Sequence, residues 1–310
     1  MRPVGTSMLT LASALLLLAG CGGDDTGAPA NDTTAPSTAE TTARADDTER
    51  ADTGDEDETI IGERVERWPS SLDGLDPADP ARWTVEVVST APHDPSAFTQ
   101  GLEHLDDGRL LESTGIRGLS DVRIVDAATG AVEVAAELAP EEFGEGLTVV
   151  DDTVIQLTWQ EQTARRWSLP DLEPLPSFKY TGEGWGLCLL DDRLAMSDGT
   201  GVLQWRDPTD FGLLATVDVT RAGAPVTAIN ELECVDGHVV ANLWRSSDVV
   251  VISPDGDVVA TIDAGPLVDT IASTEPLREV LNGIAAHPDG TFSLTGKLWP
   301  TRFVVEVVEP

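Results

Sequence analysis

The chain has 310 residues and carries 55 Asp and Glu against 19 Lys and Arg, which gives a formal net charge of -36. This length allows a substantial hydrophobic core, and the acidic balance argues against nucleic acid or an anionic lipid surface as a partner. Three cysteines and four histidines are present, without a CxxC pair or a Cys/His cluster. We therefore expect no structural zinc site, and we predict neither a bound metal nor a cofactor.

The N-terminal residues have the pattern of a targeting segment. Arg2 supplies an early positive charge, residues 8–19 are nearly all apolar or small, and Leu18-Ala19-Gly20-Cys21 is similar to a bacterial lipobox. The apolar run is too short to span a bilayer as a mature helix. We expect residues 1–20 to be a lipoprotein signal peptide that is cleaved before a lipidated Cys21. An ordinary secretory signal followed by an incidental cysteine is the alternative.

Residues 21–76 are predicted to be a disordered acidic linker. They are rich in Asp, Glu, Thr, Ala and Ser and contain few large apolar side chains, so they cannot bury enough surface to offset the entropy of ordering. Together with the signal, this predicts an exported monomer, anchored by lipid to the outer face of the cell membrane. It would touch the membrane only through that anchor.

One sequence pattern recurs five times in residues 77–310. Each copy starts with a polar or aromatic residue, usually followed by Gly and then by Leu or Ile, and an Asp-containing turn leads into a second strand a few residues later. Third and fourth strands complete the period of roughly 40–50 residues. The copies begin at Gln100-Gly101-Leu102, Glu145-Gly146-Leu147, Trp185-Gly186-Leu187, Asn230-Glu231-Leu232 and Asn282-Gly283-Ile284.

A four-stranded repeat of this length is typical of a propeller blade. We therefore predict an all-β fold, a five-bladed β-propeller with four-stranded blades, in residues 77–310. The fifth copy ends after its third strand, so we expect the strand at 83–89 to supply the missing outer strand and close the ring. A sandwich of similar strands is the alternative.

The propeller prediction places the first residues of the five copies in one ring, because the first strand of each blade lines the central channel. The second strand returns to the same mouth and brings further residues to it by repeat register. Taken singly, a tryptophan in a strand is usually a core residue and a glutamate in a turn is usually solvated. Convergence on one mouth instead predicts a pocket with aromatic walls and few polar groups, which is the usual composition of a small-ligand site. The residues are Gln100, Glu145, Trp185, Asn230 and Asn282 in the ring, with Phe98, Phe143, Trp159, Trp244 and Lys297 beside it.

The remaining cysteines, Cys188 and Cys234, lie at comparable heights on the first strands of copies three and four. Side chains alternate between the faces of a strand, and the parity of the two positions permits a disulfide between neighbouring blades. Two buried free thiols are the alternative.

Eight segments around the predicted pocket residues resemble the signatures of the plant and bacterial glutaminyl-peptide cyclotransferase family. The resemblance covers about residues 83–310 and implies a five-bladed propeller and a metal-independent aminoacyltransferase. Such an enzyme converts the N-terminal glutamine of peptides or proteins to pyroglutamate and releases ammonia. The segments are Phe98–Leu102, Phe143–Thr148, Leu157–Gln160, Gly182–Leu187, Asn230–Glu233, Ala241–Trp244, Leu281–Ala285 and Leu294–Pro300.

Carried over position by position, the resemblance implies that Glu145 is the acid/base. Gln100, Asn230 and Lys297 would be its polar partners, and the aromatic residues would form the substrate pocket together with Asn282. The pocket walls would be Phe98, Phe143, Trp159, Trp185 and Trp244.

Two other functions remain open from the residues alone. One is a calcium-dependent propeller hydrolase similar to a lactonase, since one Glu and two Asn around a channel can hold Ca²⁺. Lys297 and three tryptophans would crowd such a cation. The other is a non-catalytic surface propeller that binds peptides at its aromatic mouth.

Overall fold

The computed structural model of the protein describes residues 65–276 and 278–310. Apart from a 3₁₀ turn at Leu72–Gly74 and one helical turn, α1 (Gly265–Val268), the regular elements of this part of the chain are strands, beginning with β1 (Ala81–Pro92). The predicted all-β class is thus confirmed. No helix within the described residues is long and apolar enough to cross a membrane.

The first three repeat copies form three separate four-stranded sheets, each an antiparallel meander with its strands in chain order. The first contains β2 (Thr99–His104), β3 (Leu110–Thr114), β4 (Asp121–Val125) and β5 (Val132–Glu137). The second contains β6 (Gly144–Val150), β7 (Thr153–Thr158), β8 (Thr163–Ser168) and β9 (Pro174–Lys179). The third contains β10 (Leu187–Leu190), β11 (Arg193–Met196), β12 (Val202–Arg206) and β13 (Leu213–Asp218).

The turns explain why the first two strands of a copy fold back on each other. Asp151, Asp191 and Asp236 adopt positive φ angles of 52°, 54° and 50° between their two strands. Asp tolerates this left-handed conformation better than most residues. The recurring Asp turns in the sequence therefore mark real hairpins.

The last two repeat copies lie in one eight-stranded sheet. A small hairpin, β14 (Thr220–Arg221) and β15 (Ala224–Pro225), precedes it. Besides β1, the large sheet contains β16 (Ile229–Val235), β17 (His238–Leu243), β18 (Asp248–Ile252), β19 (Val258–Asp263), β20 (Leu281–Ala286), β21 (Phe292–Gly296) and β22 (Thr301–Val308). The strand order is β16-β17-β18-β19-β1-β22-β21-β20.

The N-terminal strand β1 has two partners in this large sheet. Residues 84–92 pair antiparallel with β22, which supplies the predicted fourth strand beside the last copy. Residues 81–84 also pair in parallel with β19. The sequence predicted only the first pairing, so the structure differs from five separate sheets at this one junction.

The first strands of all five copies lie next to one another, in the order β2, β6, β10, β16, β20 and back to β2. Their close approach explains the glycine that follows the first residue of most copies. A Cβ atom built on Gly146 would lie 2.6 Å from the Cα of Gly186, and one on Gly186 would lie 2.1 Å from the carbonyl oxygen of Asn230. Only glycine fits between strands at this separation.

The folded part of the chain begins before residue 77. Trp68 stacks on Trp83 with ring centroids 5.8 Å apart and contacts Phe292 at 5.3 Å, while Leu72 is buried. The C-terminal end of the predicted linker, from residue 65, therefore packs on the large sheet. The rest of that linker, the predicted signal peptide and Cys21 lie outside the described residues.

A disulfide joins Cys188 on β10 to Cys234 on β16, with a Cα–Cα distance of 5.4 Å. It connects the first strands of copies three and four. The structure thus contains the pairing that the sequence left open.

Candidate active site

A cavity of about 350 Å³ opens where the inner strands begin. The hairpins place its lining residues: Gln100, Glu145 and Asn230 lie near the starts of β2, β6 and β16, while Trp159 directly follows β7 and Lys297 directly follows β21. The structure brings nine of the ten predicted pocket residues to this cavity. They are Phe98, Gln100, Phe143, Glu145, Trp159, Trp185, Asn230, Trp244 and Lys297.

Asn282, the tenth predicted residue, lies behind the cavity. It is fully buried, and its Nδ2 donates hydrogen bonds to the carbonyl oxygen of Thr99 (3.0 Å) and to Oε1 of Gln100 (3.3 Å). Asn282 therefore holds the Gln100 side chain in place instead of lining the pocket.

The aromatic walls support one another by edge-to-face contacts. Phe143 contacts Phe98 with centroids 6.0 Å apart and Trp159 at 5.7 Å. On the other side, Trp185 and Trp244 meet at 5.7 Å with an interplanar angle of 89°. This geometry is favourable for aromatic pairs, and it gives the cavity rigid apolar walls.

Glu145 and Lys297 are the charged groups buried in the cavity, 4% and 5% exposed respectively. Burial raises the pKa of Glu145 well above its ordinary value; Lys297 opposes this rise, and Glu183 and Glu161 add to it. Burial also lowers the pKa of Lys297 to about 8, against the opposing charge of Glu145. A carboxyl and an ammonium group that both titrate closer to neutrality than usual are suited to proton transfer.

Asn230 contributes a hydrogen-bond donor that the surrounding residues do not use. Its backbone carbonyl oxygen accepts a hydrogen bond from Oγ of Ser197 at 2.6 Å, whereas its buried side-chain Nδ2 has no partner in the described part of the chain. An unsatisfied buried donor costs free energy, which a ligand in the cavity could recover.

Glu183 holds two tryptophans of the cavity. Its Oε2 accepts hydrogen bonds from Nε1 of Trp159 (2.7 Å) and of Trp185 (3.1 Å), and its Oε1 accepts one from Gln160 (3.0 Å). Burial would raise the pKa of Glu183, but these hydrogen bonds outweigh it and hold the pKa below its ordinary value. An ionised Glu183 thus fixes both indole rings.

Sequence reasoning missed two arginines of the cavity, Arg245 and Arg278. Repeat register indicated only residues on the inner two strands of each copy, and these arginines lie outside that register. Arg245 directly follows Trp244, so the prediction that Trp244 lines the pocket was a signal that also pointed to Arg245. No sequence signal identified Arg278.

The side chains of the described residues were also compared with the ligand groups that a metal ion needs. Across residues 65–276 and 278–310, no group of three or more His, Cys, Asp or Glu side chains is arranged to hold a metal ion.

The fold and the cavity together define an all-β protein with an aromatic cavity that contains a buried carboxyl group and a buried ammonium group. The family model described as glutamine cyclotransferase matches residues 65–307. A curated glutaminyl-peptide cyclotransferase from Arabidopsis thaliana is 38% identical over 227 residues, which span 72% of this chain and 71% of the plant protein. The crystal structure of Myxococcus xanthus glutaminyl cyclase superimposes with a TM-score of 0.70 at 38% identity, over 74% of this chain and 99% of that one. The chain belongs to the glutamine cyclotransferase family.

Proposed function

We propose that this protein is a glutaminyl-peptide cyclotransferase, an enzyme that converts the N-terminal glutamine of peptides or proteins to pyroglutamate and releases ammonia. The observation that carries the proposal is the buried Glu145, with its raised pKa, facing an aromatic cavity that also contains Lys297. Family membership and the Arabidopsis and Myxococcus relatives support the same activity.

The cavity suits the geometry of the reaction. The α-amine must attack the Cδ atom of its own side chain and close a five-membered ring. A cavity of about 350 Å³ with rigid aromatic walls can hold the glutamine side chain folded back on its amine. Well-oriented intramolecular reactions gain roughly 7–11 kcal/mol from such positioning.

Glu145 is proposed to move the proton. Its carboxylate takes a proton from the amine as the amine attacks Cδ and the ring closes. It then returns this proton to the leaving nitrogen, so that ammonia departs when the tetrahedral intermediate collapses. Burial among apolar rings raises the pKa of Glu145, which matches its proton affinity better to these two steps. General acid–base catalysis of this kind typically contributes about 10²–10⁴ in rate.

The tetrahedral intermediate carries a negative oxygen that needs donors. Lys297, Gln100 and Asn230 are the candidates that line the cavity. Asn230 offers an Nδ2 group without another partner in the described residues, and Lys297 offers a charge. Removal of one such donor usually costs about 10²–10³ in turnover.

We further propose that the sheets form a five-bladed propeller. The five first strands contact one another in a closed series, which supports this arrangement. The eight-stranded sheet then represents two blades that β1 connects. The lipobox-like segment that ends at Cys21 and the acidic composition of the following residues support export and attachment by a lipid anchor.

Mass spectrometry of glutamine-initiated peptides after incubation with the protein tests the function. We expect loss of ammonia from peptides that begin with Gln, and no change in peptides of the same sequence that begin with Asn. Unchanged Gln peptides would support a binding role instead.

Chelation tests the hydrolase alternative. We expect full cyclisation activity after exhaustive treatment with chelator, because Lys297 balances the negative charge of Glu145 without a metal ion. The melting temperature is measured in parallel to detect loss of a structural ion. A loss of activity that Ca²⁺ restores, at constant melting temperature, would favour the calcium-dependent hydrolase.

A further inference from the structure

Three exposed arginines surround the mouth of the cavity, each placed over an aromatic wall residue. The guanidinium carbon of Arg245 lies 4.1 Å from the ring centroid of Trp244, and that of Arg278 lies 5.8 Å from Phe98. Arg117 lies 5.5 Å from the ring of Trp159. Cation–π contacts of this type fix the position of a guanidinium group while leaving its edge available for hydrogen bonds.

The carboxylates that face these arginines do not neutralise all of them. Arg117 pairs with Glu161. Arg278 pairs with Glu275 at 3.0 Å, but both side chains are more than half exposed, so this pair is weak and exchangeable. Arg245 has no carboxylate within ion-pair distance in the described part of the chain. Arg245 therefore offers a guanidinium group that no neighbouring carboxylate neutralises, and the exposed Arg278 can exchange Glu275 for a carboxylate of a ligand.

When a peptide places its N-terminal glutamine in the cavity, the rest of the peptide chain must extend outwards past this rim. The residues that follow glutamine then pass beside Arg245 and Arg278, which both line the cavity. We propose that this arginine rim, Arg245 and Arg278, selects peptides with Asp or Glu in the first two positions after the N-terminal glutamine. A guanidinium edge matches a carboxylate in a bidentate hydrogen bond. The inference rests on the proposed function, because it needs glutamine to occupy the cavity.

The acidic surface of the protein opposes this preference at long range. At an ionic strength of about 0.1 M the screening length is roughly 10 Å, so carboxylates far from the mouth are largely screened while the rim arginines are not. The preference is therefore best measured near that ionic strength.

The test compares kcat/KM for three peptides, Gln-Glu-Glu-Ala, Gln-Ala-Ala-Ala and Gln-Lys-Lys-Ala. We expect the acidic peptide to exceed the basic one about tenfold, with the neutral peptide between them, since exposed ion pairs each contribute a few-fold. In about 0.5 M salt the ratio should shrink to about twofold.

Charge-reversal variants connect the preference to the rim. Arg245→Glu and Arg278→Glu should each move the ratio towards the basic peptide, and Arg245→Gln should move it less. Arg193→Glu is the matched control. Arg193 also lies over a tryptophan, 3.9 Å from the ring centroid of Trp205, but it is not part of the cavity, so its substitution should leave the ratio unchanged.

The possible outcomes separate the two proposals. Equal kcat/KM for all three peptides, or a ratio that neither rim substitution changes, would overturn the arginine-rim inference. Cyclisation of the neutral peptide in that experiment would show that the proposed function still stands. Failure to cyclise any of the three peptides would overturn both.

Discussion

Glu145 and Lys297 share one buried cavity, and each changes the proton affinity of the other. The ammonium group opposes the rise that burial causes in the pKa of Glu145. The carboxylate likewise opposes the fall that burial causes in the pKa of Lys297, which lies at about 8. Neither residue can therefore be substituted without changing the protonation of the other.

Glu145→Gln should lower the pKa of Lys297 below about 8. The substitution removes the negative charge that favours the ammonium form, while the burial that disfavours it remains. The chain contains two lysines, Lys179 and Lys297, so a spectrum of ¹³C-labelled lysine has one signal to follow and one as internal reference. A pKa of Lys297 that stays the same or rises in the variant would contradict the coupling.

Glu145→Gln should also reduce the turnover of Gln peptides by about 10²–10⁴, the range expected for loss of a general acid–base. The fold should persist, because the amide occupies the same volume. The exposed residue Glu137 on β5 provides a matched control, and Glu137→Gln should turn over at the wild-type rate. Wild-type turnover in Glu145→Gln, with contaminating cyclase excluded, would rule out this mechanism.

At the scale of strands, the sequence predicted those features that depend on local pattern. The Asp turns predicted the hairpins, because these turns need a residue that tolerates positive φ. The parallel pairing of residues 81–84 with β19 was not predictable in this way. It depends on which sheet edge lies beside β1 in the folded molecule, and no local pattern encodes that. For the same reason Arg278 was missed, since its place at the cavity follows from the folding of a segment outside the repeat.

The disulfide between β10 and β16 should stabilise the junction of the third sheet and the large sheet. The two cysteines are 46 residues apart in sequence, and closing a loop of that length contributes about 4 kcal/mol in the chain-entropy model. Substituting both cysteines by Ala should therefore lower the free energy of unfolding by about that amount.

Two measurements check this prediction. Reductant should lower the melting temperature of the wild-type protein, and it should not affect the double Ala variant. Peptide mapping without reductant should yield a linked pair of peptides. Two alkylatable thiols at positions 188 and 234 in the denatured, unreduced protein would exclude the bridge.

At the scale of the whole molecule, the buried Glu231 and the half-buried Glu103 connect the first strands of different copies. Glu231 on β16 accepts hydrogen bonds from the backbone N–H groups of Leu102 (3.3 Å) and Ile284 (3.0 Å), on β2 and β20. Glu103 on β2 accepts from the N–H of Val149 on β6 at 3.2 and 3.1 Å. Glu231 occupies the position that is glycine in the other copies, and its carboxylate reaches the first strands of two other copies, β2 and β20.

These central carboxyl groups should make the folded protein more stable at mildly acidic pH than at pH 8. Burial raises the pKa of Glu103 to about 7, although hydrogen bonds from Thr148 and Val149 oppose the rise. In the unfolded chain the group titrates near its ordinary value of 4.5. Between these two values the folded state binds more protons than the unfolded state, so the free energy of unfolding falls as the pH rises from about 4.5 to about 7.

Glu103→Gln removes this titration but keeps an oxygen that can accept from Val149. The variant should therefore be more stable than the wild type by about 1–2 kcal/mol at pH 8, and the difference should vanish near pH 4.5. Urea unfolding at several pH values measures both quantities. The exposed Glu137→Gln serves as control and should show no such pH-dependent gain. Equal destabilisation of Glu103→Gln at pH 8 and at pH 5 would contradict this prediction. It would mean that the carboxylate of Glu103 is ionised in the folded protein, and that its two contacts with Val149 contribute more free energy than its burial costs.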